Sequence, residues 1–154
     1  MAFDFEKLLK RYVWDDDKTP YFTPSRKLNQ RQATYEAIAY TIFCVVLFSV
    51  VGLASLTGAG GYERASGPAL MCFTFISASV IFGFTKNYYS ALWLSTAPVA
   101  TVAYFFIYGF KPGWHTIDQV VVLSFVALWT LYSIRIVSIG RRYEDMPPDR
   151  PDAQ

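Results

Sequence analysis

Four long runs without a charged residue dominate the hydrophobic pattern of the chain. They cover residues 37–56, 65–85, 88–110 and 119–134, and Arg135 interrupts an apolar stretch that continues to Gly140. A helix needs about 20 consecutive, mostly apolar residues to cross the hydrocarbon core of a bilayer. The pattern therefore predicts four transmembrane helices at about 36–57, 67–85, 88–110 and 117–138.

Turn and capping residues separate these runs. A glycine-rich stretch at 57–61 ends the first run, and Pro68 fits the first turn of the second helix, where proline is tolerated. Asn87 is a suitable N-cap for the third helix. Thr116 and Gln119 have the spacing of a capping box at the start of the fourth. The predicted connections are short, which favours an up-down-up-down bundle.

The predicted fold class is an all-α membrane protein, a four-transmembrane-helix antiparallel bundle with an N-terminal amphipathic cytoplasmic helix. A soluble bundle is the alternative, but soluble helices need a polar face, whereas these runs are apolar all round. The composition agrees, with 53% hydrophobic and 17% charged residues. We expect a cytoplasmic N-terminal segment at 1–33, a transmembrane domain at 34–140 and a cytoplasmic proline-rich tail at 141–154.

Basic residues are distributed unevenly about the four predicted helices. By the predicted topology, twelve of the fourteen lysines and arginines fall on one side, and only Arg64 and Lys111 fall on the other. Cytoplasmic loops carry an excess of lysine and arginine. Both termini are therefore predicted to be cytoplasmic. The twelve are Lys7, Lys10, Arg11, Lys18, Arg26, Lys27, Arg31, Lys86, Arg135, Arg141, Arg142 and Arg150.

The N-terminal segment carries its own signal at about residues 4–14. Phe5, Leu8, Leu9 and Tyr12 recur at the spacing that lines one face of a helix. This face is predicted to lie in the headgroup layer or, with equal weight, to pack on protein. The first residues also lack the basic leader and apolar region of a cleavable signal peptide, so the first span is expected to stay in the mature protein.

The residues that carry most membrane chemistry are scarce in this sequence. His115 is the only histidine and falls in a predicted loop, and Cys44 and Cys72 form no Cys-x-x-Cys pair. A rise of about 1.5 Å per helical residue places the two cysteines at different depths, so both are read as packing residues. The predicted spans one to three contain no ionisable residue in their cores. We expect no enzyme activity, no cofactor and no metal site.

Arg135, Arg141 and Arg142 are the candidate lipid-contacting or partner-contacting cations at the end of the fourth helix. Arg135 is the one charge that the pattern places within a span rather than at its edge. Snorkelling to the membrane surface is the favoured interpretation. The alternative is that Arg135 anchors an anionic lipid headgroup or a carboxylate of a neighbouring subunit.

Small residues indicate where helices approach closely. Thr74 with Ala78, and Ser79 with Gly83, are spaced four apart on the second helix, and such residues allow close packing of helices in membranes. Pro98 is expected to kink the third helix because it removes a backbone hydrogen bond.

These features favour a non-catalytic accessory or scaffold subunit of a larger membrane complex, most typical of a bacterial inner membrane. The expected partners are the lipid bilayer and other membrane protein subunits, and no nucleic acid. The alternative is a small transporter, channel or lipid-binding membrane protein whose path is lined by Thr, Ser and Tyr side chains. An interfacial enzyme is the least favoured interpretation, because only Asp15–Asp17 and His115 recommend it.

Overall fold

The computed structural model describes residues 24–58, 66–110 and 113–148. The described residues form five α-helices and two short 3₁₀ turns, and no strand occurs among them. The predicted amphipathic helix at 4–14, with Phe5, Leu8, Leu9 and Tyr12, lies outside the described residues. The helices are α1 (Gln30–Thr57), α2 (Ser66–Thr85), α3 (Tyr88–Ser95), α4 (Ala97–Tyr108) and α5 (Thr116–Arg142), and the 3₁₀ turns are Ser25–Lys27 and Tyr143–Asp145.

Four helical stretches are long and apolar enough to cross a membrane. They are Gln30–Thr57, Ser66–Thr85, Tyr88–Ile107, which joins α3 to α4, and Thr116–Asp145. Their number and order confirm the four predicted stretches. Such a pattern indicates a multi-pass membrane protein.

The first helix begins six residues earlier than predicted. Asn29 caps it: the Gln32 backbone N–H donates to Asn29 Oδ1 at 2.8 Å, and the Asn29 N–H donates to Gln32 Oε1 at 3.2 Å. The helix ends at Thr57, and the next residue, Gly58, has a φ of 72°, the left-handed conformation that glycine accepts at a helix C-terminus.

The cap of α5 differs from the predicted one by one residue. The sequence suggested a box of Thr116 and Gln119, but the helix begins at Thr116 and His115 is the N-cap. The His115 backbone N–H donates to Asp118 Oδ2 at 3.0 Å, so Asp118 is the residue that closes the first turn. Its negative charge also suits the positive end of the helix dipole.

The third membrane-length stretch is divided where the sequence predicted a kink. Helix α3 ends at Ser95, Thr96 is a turn, and α4 begins with Ala97 and Pro98. Proline has no N–H to donate to the carbonyl four residues earlier, and its ring clashes with that carbonyl. Pro98 therefore ends the regular hydrogen-bond pattern at this point.

A two-residue turn joins α2 to α3. Lys86 has a φ of 52°, which is uncommon for a residue with a side chain, and its N–H donates to the Phe82 carbonyl at 2.8 Å. Asn87 caps α3 as predicted, since its Oδ1 accepts from the Tyr89 N–H at 2.7 Å.

Glycines mark three close approaches between helices. A Cβ added to Gly83 would lie 2.7 Å from Thr41 Oγ1, and one added to Gly52 would lie 3.2 Å from Cys72 Cβ. Helices α1 and α2 therefore pack closely at two levels. Gly140 also brings α5 close to α3, with the Ala91 Cβ 3.2 Å from the position of an added Cβ.

The predicted packing residues of α2 are only partly at this contact. Ser79 is buried and Ala78 packs against the core, in keeping with the position of Gly83. Thr74, however, is exposed, and its hydroxyl donates to the Met71 carbonyl of its own helix. The buried residues of α2 recur at spacings of three and four, and Thr74 lies off that stripe. They are Cys72, Phe75, Ser79 and Phe82.

The large apolar side chains that remain exposed lie along all four membrane-length stretches. Phe106 is 85% exposed and Phe84 82% exposed. Soluble proteins rarely expose contiguous apolar surface of this kind, whereas a helix in lipid is apolar on its outer face. The core between the helices is aromatic, with Phe48 stacked on Phe75 at a centroid distance of 4.8 Å.

Candidate functional site: a polar cluster between the first and last helices

Five polar or charged side chains meet where α1 faces α5, and we call them the polar cluster: Glu36, Tyr40, Trp129, Ser133 and Arg135. Glu36 and Tyr40 are four residues apart on α1, and Trp129 and Ser133 are four apart on α5. Side chains with this spacing lie one turn apart on the same helix face. The two helices thus meet through long polar and aromatic side chains.

Glu36 and Arg135 form an ion pair with two hydrogen bonds. Arg135 Nε donates to Glu36 Oε1 at 2.5 Å, and Arg135 Nη2 donates to Glu36 Oε2 at 2.9 Å. The planar guanidinium matches the carboxylate in this fork geometry. Glu36 is only 5% exposed and the Arg135 side chain 19% exposed, so the pair is largely removed from solvent.

Tyr40, Ser133 and Trp129 form a closed ring of hydrogen bonds. The Trp129 indole N–H donates to the Tyr40 hydroxyl at 3.1 Å, and the Ser133 hydroxyl donates to the Trp129 carbonyl at 2.9 Å. Ser133 has a single proton, so Tyr40 is the donor in the 2.9 Å contact between the two hydroxyls. The indole N–H and the two hydroxyl groups therefore each donate one hydrogen bond within the ring.

The hydroxyl groups of Ser79 and Thr41, where α1 packs on α2, also have hydrogen-bond partners. Ser79 Oγ donates to the Phe75 carbonyl at 2.7 Å, and Thr41 Oγ1 donates across the helix contact to the Ser79 carbonyl at 3.1 Å. Among the described residues, no buried side-chain nitrogen or oxygen lacks a hydrogen-bond partner. An unpaired polar group costs several kcal/mol in hydrocarbon, so such pairing favours stable helix association.

The residues around the start of α1 form hydrogen bonds to the residues around the end of α5. Ser25 Oγ lies 2.8 Å from Ser138 Oγ, and Thr34 Oγ1 lies 2.8 Å from the Tyr143 hydroxyl. The Gln30 N–H donates to the Pro147 carbonyl at 3.1 Å. Leu28 and Met146 are the buried apolar residues of the segments that flank these two helices. We call residues 24–36, 86–88 and 135–148 the basic end of the protein.

The candidate cations predicted from sequence have different environments at the basic end. Arg135 is bound to Glu36 of its own chain, an arrangement that the favoured snorkelling interpretation did not foresee. Arg141 is exposed and Arg142 half-buried in the last turn of α5. Of these three candidate cations, only Arg141 and Arg142 are in no ion pair within the described part of the chain.

The other chemically notable residues have structural environments. Cys44 and Cys72 are both buried and both free, in agreement with the reading of the pair as packing residues. His115 is the exposed N-cap residue directly before α5. Within residues 24–58, 66–110 and 113–148, no three His, Cys, Asp or Glu residues are grouped as a metal site requires.

The sequence pattern did not identify the polar cluster. Tyr40, Trp129 and Ser133 looked like ordinary members of apolar runs, and Glu36 looked like the edge of a span. One signal was available: Glu36 stands near the start of the first span and Arg135 near the end of the last, so an up-down bundle puts opposite charges at similar depth.

Comparisons with protein families, with curated proteins and with solved structures found no match.

Proposed function

We propose that this protein is an integral membrane protein that works as an accessory or scaffold subunit of a larger membrane complex. Its four spans form an antiparallel bundle with both termini in the cytoplasm, as the position of twelve of the fourteen basic residues supports. The membrane is a bacterial inner membrane. The bundle joins its own helices through the polar cluster and offers apolar faces to other subunits.

The observation that carries this proposal is the exposed face of α4. Val99, Ala103 and Phe106 are spaced four and three apart, so they lie on one face of the helix, and all three are exposed. We call them the α4 face. It combines a small residue, which allows a second helix to approach, with a large aromatic ring 85% exposed. Helix association in membranes depends on such packing.

The chain's own helices leave most of α4 at least partly uncovered. Ala97 and Pro98 are buried at the start of α4, but no later residue of the helix whose side chain is described is fully buried. A partner helix packed on this face would bury the apolar side chains that the chain's own helices leave exposed.

Enlarging the centre of the face tests the proposal. We expect Ala103→Leu to lower the yield of copurifying protein from mild detergent while the variant keeps its own thermal stability. Ala39→Leu is the matched control, because Ala39 is exposed on α1, away from the α4 face. Equal copurification for both variants, or the absence of any copurifying protein from the unaltered chain, would contradict the proposal.

Topology has a separate test. A reporter active only in the periplasm should be active when fused after Gly60 or Pro112, and inactive when fused after Lys86 or at the C-terminus. The reverse pattern would overturn the orientation.

A small transporter or channel is the second candidate, and two observations favour it. A largely buried ion pair between two membrane-length helices, such as Glu36 with Arg135, is costly and often marks an ion or proton path. A divided helix, as at Pro98, is also common in transporters. The test uses vesicles that contain the protein and a pH-sensitive dye. Proton leak that Glu36→Gln abolishes in a folded variant would favour this candidate, and leak equal to that of protein-free vesicles would count against it.

A further inference from the structure

The two basic segments of the basic end are far apart in sequence and adjacent in the structure. Arg26 and Lys27 belong to the 3₁₀ turn before α1, whereas Arg141 and Arg142 belong to the last turn of α5. The hydrogen bond of 2.8 Å between Ser25 and Ser138 brings the two segments together. Neither segment alone would gather four cations.

Helical spacing places the arginines on the side of α5 that holds the 3₁₀ turn. Arg141 and Arg142 follow Ser138 by three and four residues, so they lie one turn beyond it on the same face. Arg26 and Lys27 directly follow Ser25, the partner of Ser138. We call Arg26, Lys27, Arg141 and Arg142 the basic patch.

The charges of the basic patch are available to a ligand. Arg26, Lys27 and Arg141 are exposed and Arg142 is half-buried. In the described part of the chain, none of the four is in an ion pair, whereas Arg135 is paired with Glu36 and contributes no net charge. Glu144 and Asp145 are the acidic residues that follow in sequence, so four cations face two anions here.

The position of the basic patch indicates the kind of ligand. It lies at the ends of two membrane-length helices, with Tyr35 40% exposed on the second turn of α1 and Tyr89 76% exposed at the start of α3. Tyrosine is enriched at the headgroup level of a bilayer. Basic pockets and segments at this level attract the phosphates of anionic lipids.

We propose that the basic patch binds the phosphate headgroup of an anionic phospholipid. The proposal rests on the membrane location proposed above, but not on the scaffold role. Each basic residue near an anionic membrane surface changes the affinity by about fivefold, so loss of two cations should weaken binding about 25-fold.

The experiment titrates the purified full-length protein in detergent with short-chain phosphatidylglycerol. Arg26→Gln/Lys27→Gln and Arg141→Gln/Arg142→Gln should each weaken binding about 25-fold, because both segments contact the same headgroup. Lys111→Gln, which removes a charge from the connection between α4 and α5, should bind like the unaltered protein. Phosphatidylcholine should bind at least tenfold more weakly than phosphatidylglycerol.

Helical circular dichroism and the thermal midpoint show whether each variant is folded. Both should stay unchanged in the two double variants, because none of the four substituted side chains is fully buried. Inorganic phosphate distinguishes a lipid from a free anion. If inorganic phosphate displaces the lipid at equal concentration, the patch is a phosphate site and the lipid proposal is wrong. Unaltered affinity in either double variant, or an equal loss in Lys111→Gln, would also overturn it.

Failure of this proposal is distinguishable from failure of the membrane location. Extraction of cell membranes at alkaline pH reports whether the protein is integral, independently of the lipid titration. An integral protein with no preference for phosphatidylglycerol would refute the basic patch alone.

Discussion

The Glu36–Arg135 ion pair should make a large contribution to the stability of the bundle. A double-mutant cycle measures the coupling free energy between the two side chains. Removal of one partner from a buried pair costs about 3–5 kcal/mol, because the remaining charge is left without compensation. The Arg135 side chain is 19% exposed and near the end of its helix, so its charge can shift toward the surface. We therefore expect Glu36→Gln to cost about 2 kcal/mol, or about a 30-fold change in the unfolding equilibrium.

The reciprocal substitution should cost more. Arg135→Gln leaves Glu36, which is only 5% exposed, as the uncompensated charge. We expect a loss of about 3 kcal/mol at neutral pH. Arg135→Lys should lie between the two, because a lysine keeps the charge but cannot form both hydrogen bonds of the fork.

Glu36→Gln/Arg135→Gln combines the two single substitutions and closes the double-mutant cycle. A second double variant, Glu36→Leu/Arg135→Met, removes both charges and keeps most of the volume. Buried ion pairs can often be replaced by apolar residues at little cost, so this variant should be less destabilised than Arg135→Gln. The assay is reversible unfolding in mixed detergent micelles, followed by helical circular dichroism and by tryptophan fluorescence. If each single variant loses less than about 0.5 kcal/mol and the losses add, the pair does not hold α1 to α5 and the reasoning is wrong.

Three further predictions use the same unfolding assay. Gly83→Ala should lower the free energy of unfolding by about 1–3 kcal/mol, because the added Cβ would lie 2.7 Å from Thr41 Oγ1. Gly67→Ala is the control and should not destabilise, because its Cβ would meet nothing within 4 Å. Equal effects of the two substitutions would contradict the close contact between α1 and α2. Lys86→Gly should raise the free energy of unfolding by about 1 kcal/mol, because residue 86 has a φ of 52°, which glycine adopts without strain and lysine does not. A loss of stability would show that the lysine side chain contributes more than the backbone strain costs. Tyr40→Phe should cost about 1–3 kcal/mol through the two hydrogen bonds of its hydroxyl, and a neutral result would refute the closed ring.

Local signals in the sequence were sufficient for the helices themselves. Asn87 was expected to cap α3 and does so, because an asparagine side chain reaches the backbone N–H two residues on. Pro98 was expected to interrupt its helix and stands at the interruption, because the loss of an N–H is a property of the residue alone. The position of the α1 start was missed because the charged residues before Glu36 obscured the cap at Asn29.

The sequence did not determine how each helix is rotated about its own axis. A helix that is apolar all round shows no periodic stripe, so its pattern does not reveal which face packs inward. For this reason Thr74 was expected at a helix contact and is exposed, whereas Tyr40 and Ser133 were overlooked and are buried.

The sequence by itself determined the number of membrane-length helices, their order and the uneven distribution of basic residues, because these depend on runs of apolar residues and on charge. Only the tertiary structure decided which charges are neutralised and which stay exposed. Glu36 and Arg135 are separated by 99 residues, and Ser25 and Ser138 by 113. Contacts across such distances depend on how whole helices are rotated and packed, and no local pattern encodes that rotation.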